Sequence, residues 1–166
     1  FKSLNIGNTQ ITGIDITLAG EGKIDKVRLS ALAGYTFIDP IKTDFEYSDT
    51  LLATANYNIL KYRFQHSFKG NFELGWKKMN AGTSFIYYSF MENIDKPFEV
   101  FIPGVKTWRE EHNTGDWIWD VYFRFDFDSK FSASFIVKNL TNHEWTDRPA
   151  NMQPMRQFTL QFLAKI

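Results

Sequence analysis

The chain has 166 residues, room for one domain with a real core, and its 19 basic side chains balance 19 acidic ones. That balance gives no bulk electrostatic argument for nucleic acid. The absence of Cys excludes a disulfide framework and a thiolate metal site, and three scattered His residues leave little material for any metal centre.

No stretch approaches the 18 or so uninterrupted apolar residues of a helical membrane span. The opening "FKSLNIGNTQ" lacks Met and a signal-peptide core, so the chain is expected to be a piece of a longer protein whose missing part lies upstream. Alternation is the dominant pattern. In "TQITGIDITLAG", Ile14, Ile16 and Leu18 share one side of a strand and Asp15, Thr17 and Ala19 the other. "GEGKID" reads as a turn, with Gly20 and Gly22 supplying freedom. "KVRLSALAGYTF" then sets Val27, Leu29, Tyr35 and Phe37 against Lys26, Arg28, Ser30 and Thr36.

A polar connection over 39–61 leads to "RFQHSFKGNFELGWK", where Phe64, His66, Phe68, Phe72, Leu74 and Trp76 alternate with Arg63, Lys69, Glu73 and Lys77. After the turn "KKMN", the run "AGTSFIYYSF" is ambiguous, because Phe85, Ile86, Tyr87 and Tyr88 are all large. A second long connection over 91–115 precedes "DWIWDVYFRFDFD", with Trp117, Trp119, Val121, Phe123, Phe125 and Phe127 against Asp116, Asp120, Arg124, Asp126 and Asp128. "DSK" turns into "FSASFIVKNL", and a third long connection over 141–155 reaches the last run, in which Phe158, Leu160, Phe162, Ala164 and Ile166 share a side.

Seven long strands joined by alternately short and long connections predict an all-β antiparallel meander. No Pro falls inside a run, as ladder hydrogen bonding requires, and no helical stretch stands out. The layout is that expected of an outer-membrane barrel, with short turns at one end and long loops at the other. Lipid accepts a sheet only if every backbone group is paired, which requires closure. Charge on one parity keeps ions off the lipid side, where each would cost roughly 2–4 kcal/mol near the midplane. Trp76, Trp117 and Tyr35 lie near run ends, where aromatic girdles belong. A soluble antiparallel sheet with one wet face also alternates. A soluble all-β carbohydrate-binding module and a small self-assembled barrel therefore stand as alternatives, and seven is an odd count for a single-chain bacterial barrel.

Five segments resemble TonB-dependent outer-membrane receptors. "NTQITGIDITL" resembles their I-x-G-(V/I)-(E/D) strand, "ALAGYTFID" their GYTYxD strand end, and "LKYRFQHSFKGNF" their YRPxHxxxxxL strand, with Phe64 where Pro is usual. "VKNLTNHEW" is similar to NLF(N/D)xxY and "RPANMQPMRQFTLQFLAKI" to the closing PxPRxFxLxLxYxF, with Met155 where Pro or a small residue is common and Ile166 where the family ends in Phe. The resemblance covers essentially the whole chain. It implies the C-terminal portion of a transmembrane β-barrel of about 22 strands with a plugged lumen, in the bacterial outer membrane. The implied activity is TonB-energised uptake of a scarce ligand (ferric siderophore, haem, cobalamin or glycan), without covalent chemistry and without a cofactor. Implied partners are outer-membrane lipid, the protein's own N-terminal plug, TonB through an absent N-terminal region, and a surface lipoprotein lid as in glycan importers.

On that basis Arg63, Lys69, Glu73, Asp120, Arg124, Asp126 and Lys138 are expected to face the lumen and plug. Tyr47, Tyr57, Trp108 and Trp145, in the long connections, are the aromatic candidates for ligand contact. His112 reads as a solvated loop residue rather than a metal ligand, His66 as a strand-end residue on the apolar parity, and the "NLT" at Asn139 as a sequon without meaning in a bacterial barrel. A barrel enzyme acting on lipid would need a Ser/His/acid group, and the three His residues offer no such arrangement.

Overall fold

The computed structural model describes residues 7–165; the reading of Ile166 as the final member of the apolar side lies outside them. Seven strands form one antiparallel meander: β1 (Thr9–Ile24), β2 (Val27–Lys42), β3 (His66–Trp76), β4 (Met79–Tyr88), β5 (Asp116–Asp126), β6 (Phe131–Lys138) and, after the third long connection, β9 (Gln157–Ala164). That connection holds a small separate hairpin, β7 (Thr146–Arg148) with β8 (Asn151–Met152). The expected antiparallel meander of seven strands is thus present, in a chain that is mostly β.

Register fixes the faces, because directly opposed residues of an antiparallel pair project to the same side. One face carries Ile14, Ile16 and Leu18, then Leu29 and Tyr35, then Phe68 and Phe72, then Phe85 and Tyr87, then Trp117, Trp119 and Phe123, then Phe135, then Phe158, Leu160 and Phe162. Every Lys, Arg and Glu of the seven strands falls on the other face; Asp39, near the loop end, is the one acid on the apolar face. The ambiguous fourth run resolves here: Phe85 and Tyr87 join the Phe face, Ile86 and Tyr88 the ionic one.

Several boundaries differ from the sequence reading. Gly20 and Gly22 lie inside β1, and the turn is the two residues Asp25 and Lys26, with Asp25 at φ 51°. A short acid tolerates this left-handed backbone better than most side chains. The matching turn between β3 and β4 puts Lys77 at φ 51°. β2 runs past Phe37 to Lys42 and so contains Pro40. Its ring is tolerated because β3 has already parted from β2: only Ile38 and Lys42 donate to the neighbouring chain there, while the Pro40 carbonyl accepts from Leu60 at 2.7 Å. Tyr35 consequently sits mid-strand. Arg63 and Phe64 precede β3 rather than lying in it.

Helices also appear where none stood out: α1 (Tyr47–Thr50), α2 (Lys96–Phe101, with Pro97 at its start) and α3 (Val105–Glu111, entered through Gly104 at φ 86°). They span one to two turns, too short for a period of 3.6 to register in an alternating background. No described helix is long and apolar enough to cross a membrane, which says nothing of strands.

Among the described residues no second layer covers the sheet. Contacts between described elements run only along neighbouring strands, within the hairpin and between α2 and α3. Leu18 is 70% exposed and Phe162 72%. The accessible surface is 11624 Å² for 19.4 kDa, about a third above the roughly 8,500 Å² of a compact monomer of that mass. Most of the buried apolar side chains, namely Ala53, Ala55, Met91 and the fully buried Ile94, lie instead in the first two long connections. There Thr54 donates to the Ile94 carbonyl, Tyr62 to that of Asn93 and Lys96 to that of Leu52.

Candidate functional site

At the loop end, a cavity of about 290 Å³ opens between the α2–α3 connection and the β7–β8 hairpin. Its walls are mainly apolar: Phe64 and Phe90 from the strand ends, Ile102 and Trp108 from the helical connection, Pro149 and Met152 from the hairpin. Phe64, expected on the lipid side, turns the other way. Outside the ladder its ring is free to stack on Tyr88 of the ionic face at 4.8 Å, and Tyr88 in turn stacks on Trp145 at 6.2 Å.

Four polar side chains reach the cavity. Arg109 is turned back into its own loop: Nε donates to Glu99 at 3.2 Å, Nη2 to the Met91 carbonyl at 2.9 Å, and the guanidinium covers the Phe90 ring at 4.6 Å. Burial pulls this guanidinium below its ordinary value, while the Glu99 carboxylate opposes that. His112 is not a solvated loop residue. Its ring stacks on Trp108 at 4.5 Å and 8°, and Nδ1 donates to the Trp108 carbonyl at 2.9 Å. A carbonyl only accepts, so Nε2 of the neutral ring is an acceptor. Asp116, first residue of β5, accepts from His143 Nε2 at 2.7 Å. Thr146 completes the set. The Trp108 indole N–H is buried without a partner.

Of the four aromatic candidates, the structure brings only Trp108 to the cavity wall. Tyr47 is exposed on α1, 83% open. The Tyr57 hydroxyl donates to Glu92, and burial, with that carboxylate, pushes the phenol up to about 12. Trp145 stands behind the wall, on Tyr88. Tyr62, not anticipated, donates to Asp95, which also holds Lys61 at 2.6 Å. Burial, with Asp95, likewise pushes the Tyr62 phenol up to about 12. For Asp95 itself burial is outweighed by Lys61 and Tyr62, which hold the carboxyl below its ordinary value.

Of the residues expected to face the lumen, Lys69, Glu73, Asp120, Arg124, Asp126 and Lys138 share the ionic face. Arg124 pairs with Asp126 at 2.7 Å, and Asn80 donates to the same carboxylate at 3.1 Å. Glu73 stands beside Tyr122. The Asp120 carboxylate accepts from the Asn139 backbone N–H at 2.8 Å. Arg63 does not belong to the group; outside the ladder it is exposed, and Nη1 reaches only the adjacent Tyr62 carbonyl. His66 opens β3 on the apolar face, bonded through Nδ1 to the Tyr35 hydroxyl at 2.9 Å.

The "NLT" segment has a structural use. Asn139 is 3% exposed at φ 49°, its amide donates to the His143 and Pro154 carbonyls, and its Oδ1 accepts from His143 N–H at 2.9 Å. An Asn followed by turn-forming residues after a strand was the available signal. Among the described residues no three side chains form a cluster able to hold a metal ion. No protein-family model and no curated protein matches the chain.

Proposed function

We propose that this chain is a sector of the wall of a TonB-dependent outer-membrane receptor, a barrel of about 22 strands that imports a scarce ligand such as a ferric siderophore, haem, cobalamin or a glycan. The observation that carries this reading is the bare apolar face: a broad Phe-, Leu- and Ile-bearing surface with no covering layer, backed by a face that holds every Lys, Arg and Glu of the strands. A water-soluble module has no use for so large an uncovered surface, whereas acyl chains do cover it.

The dimensions of β3 agree, while β6 and β9 are shorter, with 8 residues each. From His66 to Trp76 is ten steps, about 34 Å along a strand and about 24 Å after a tilt of about 45°, against an apolar band of about 25 Å in such barrels. Tyr35, Phe68, Tyr87 and Trp117 oppose one another in a single row toward the loop end, and Trp76 stands at the turn end, as interfacial belts require. The free edges of β1 and β9 would pair with further strands of the closed wall. In this arrangement the ionic face meets the plug, TonB acts through the plug from the periplasm, and a surface lipoprotein is an optional lid over the loops. The wall itself does no covalent chemistry.

The test is spin labelling of the full-length protein in lipid, made easy by the lack of Cys in this segment. Nitroxides at Leu18, Phe72 and Phe123 should collide with dissolved oxygen and be shielded from a water-soluble nickel relaxant. Labels at Asn71 and Ser84 should not share that signature. Equal relaxant access at both sets of positions sinks the reading.

A further inference from the structure

We propose that the loop-end cavity is a binding site for a flat, mainly apolar ring system that carries a hydrogen-bond donor, an N–H or O–H group. The inference rests on the receptor reading only for its biological use, as the first contact of an imported molecule; the chemistry of the cavity stands by itself. Phe64, Phe90 and Trp108 stand among its aliphatic walls, and ring-on-ring packing adds to simple burial. Its volume of about 290 Å³ lies at the lower end of ligand cavities, the size of a ring system rather than a whole large chelate.

The polar groups set the second requirement. Arg109 Nε and Nη2 are directed to Glu99 and to backbone carbonyls, which leaves Nη1 and the Thr146 hydroxyl beside the acceptors that follow. Trp108 Nε1 is enclosed and out of reach of a guest. Asp116 is different. His143 occupies Oδ1, and Oδ2 has no partner and is not enclosed. In the neutral ring His112 Nε2 is likewise an acceptor without a partner, because Nδ1 carries the proton that bonds the Trp108 carbonyl. Two open acceptors in an apolar cavity ask for a donor on the guest, and a guest without one leaves the carboxylate desolvated.

The experiment uses indole and indene as probes, bicycles of one shape that differ by a single N–H donor. Binding to the full-length protein in detergent is measured by saturation-transfer NMR and calorimetry. Indole should bind about tenfold more tightly than indene. Asp116→Leu should abolish that preference while leaving indene binding in place. Val105→Trp, which fills the cavity from α3, should remove both probes without lowering the thermal midpoint. Equal binding of indole and indene, no binding of either, or binding indifferent to Val105→Trp each overturns the proposal. If the strands prove not to face lipid but indole binds as described, the uptake reading fails and this site remains.

Discussion

Asn139 shows how much one residue can hold. Its left-handed backbone turns the chain out of β6, and its buried amide ties the two ends of the third connection, at His143 and Pro154. Asn139→Ala removes three hydrogen bonds and places a Cβ-bearing, non-capping residue at positive φ, so a loss of about 2–3 kcal/mol is expected. Asn139→Gly keeps the backbone conformation and should lose less. Protease sensitivity of the 139–156 segment and denaturant unfolding in detergent check both. Tyr57 and Tyr62 act in the first two connections by a different physics. Each phenol titrates at about 12 in the folded chain against about 10 free. A raised folded value means that the neutral phenol is favoured by folding. The stability contributed is therefore complete below about pH 10 and disappears as pH climbs through 12. Tyrosinate absorbance should show these two residues ionising last among those of the connections, and Tyr57→Phe with Tyr62→Phe should flatten the alkaline loss of loop order.

Within the elements, glycine and aromatic residues work as cross-strand pairs. A Cβ at Gly70 would fall inside the Phe85 ring on the apolar face, and a Cβ at Gly82 inside the Tyr122 ring on the ionic face. Each ring lies down over its neighbour strand because there is no side chain beneath. Gly70→Ala should cost about 1–3 kcal/mol by overpacking, and Phe85→Leu in the same chain should recover part of it; thermal unfolding of the single and double variants in detergent measures the coupling. This device was hidden in the sequence, since β3 and β4 must be placed in register before Gly70 is seen opposite Phe85. Parity, by contrast, is local, and it placed Lys69, Glu73, Arg124 and Asp126 together without any knowledge of pairing. It failed where the strand began late: Arg63 and Phe64 keep the alternation on paper, but the chain has not yet entered the ladder. The turn after β1 was misplaced because Gly20 and Gly22 are read as punctuation, although Gly20 and Gly22 have only open space where a Cβ would go. The cavity was not legible at all. Its walls come from around residues 64, 90–112 and 146–152, and only the return of the meander to one end brings them together.

For the whole molecule the two faces make opposite demands. Phe72→Arg puts a charge at mid-strand on the apolar face, while Asn71→Arg puts one next door on the face that already holds Lys69 and Glu73. If acyl chains lie against the first face, Phe72→Arg costs roughly 2–4 kcal/mol and Asn71→Arg close to nothing. Unfolding of the full-length protein reconstituted in bilayers measures the difference, and equal losses for the two variants count against a lipid-facing wall. The same geometry defines what the sheet lacks. Among the described residues the edges of β1 and β9 have no neighbouring strand, and such edges are open to pairing with a further one.

The knot around Ile94 joins residues 52–62 to 91–96 and is tied to the end of β2, where Lys42 donates to the Asn58 carbonyl and the Pro40 carbonyl accepts from Leu60. The slowest-exchanging amides outside the ladder will be those of Thr54, Tyr62 and Lys96. A transplant that carries both connections together with the end of β2 should keep its shape on a foreign sheet, where either connection moved singly would come undone.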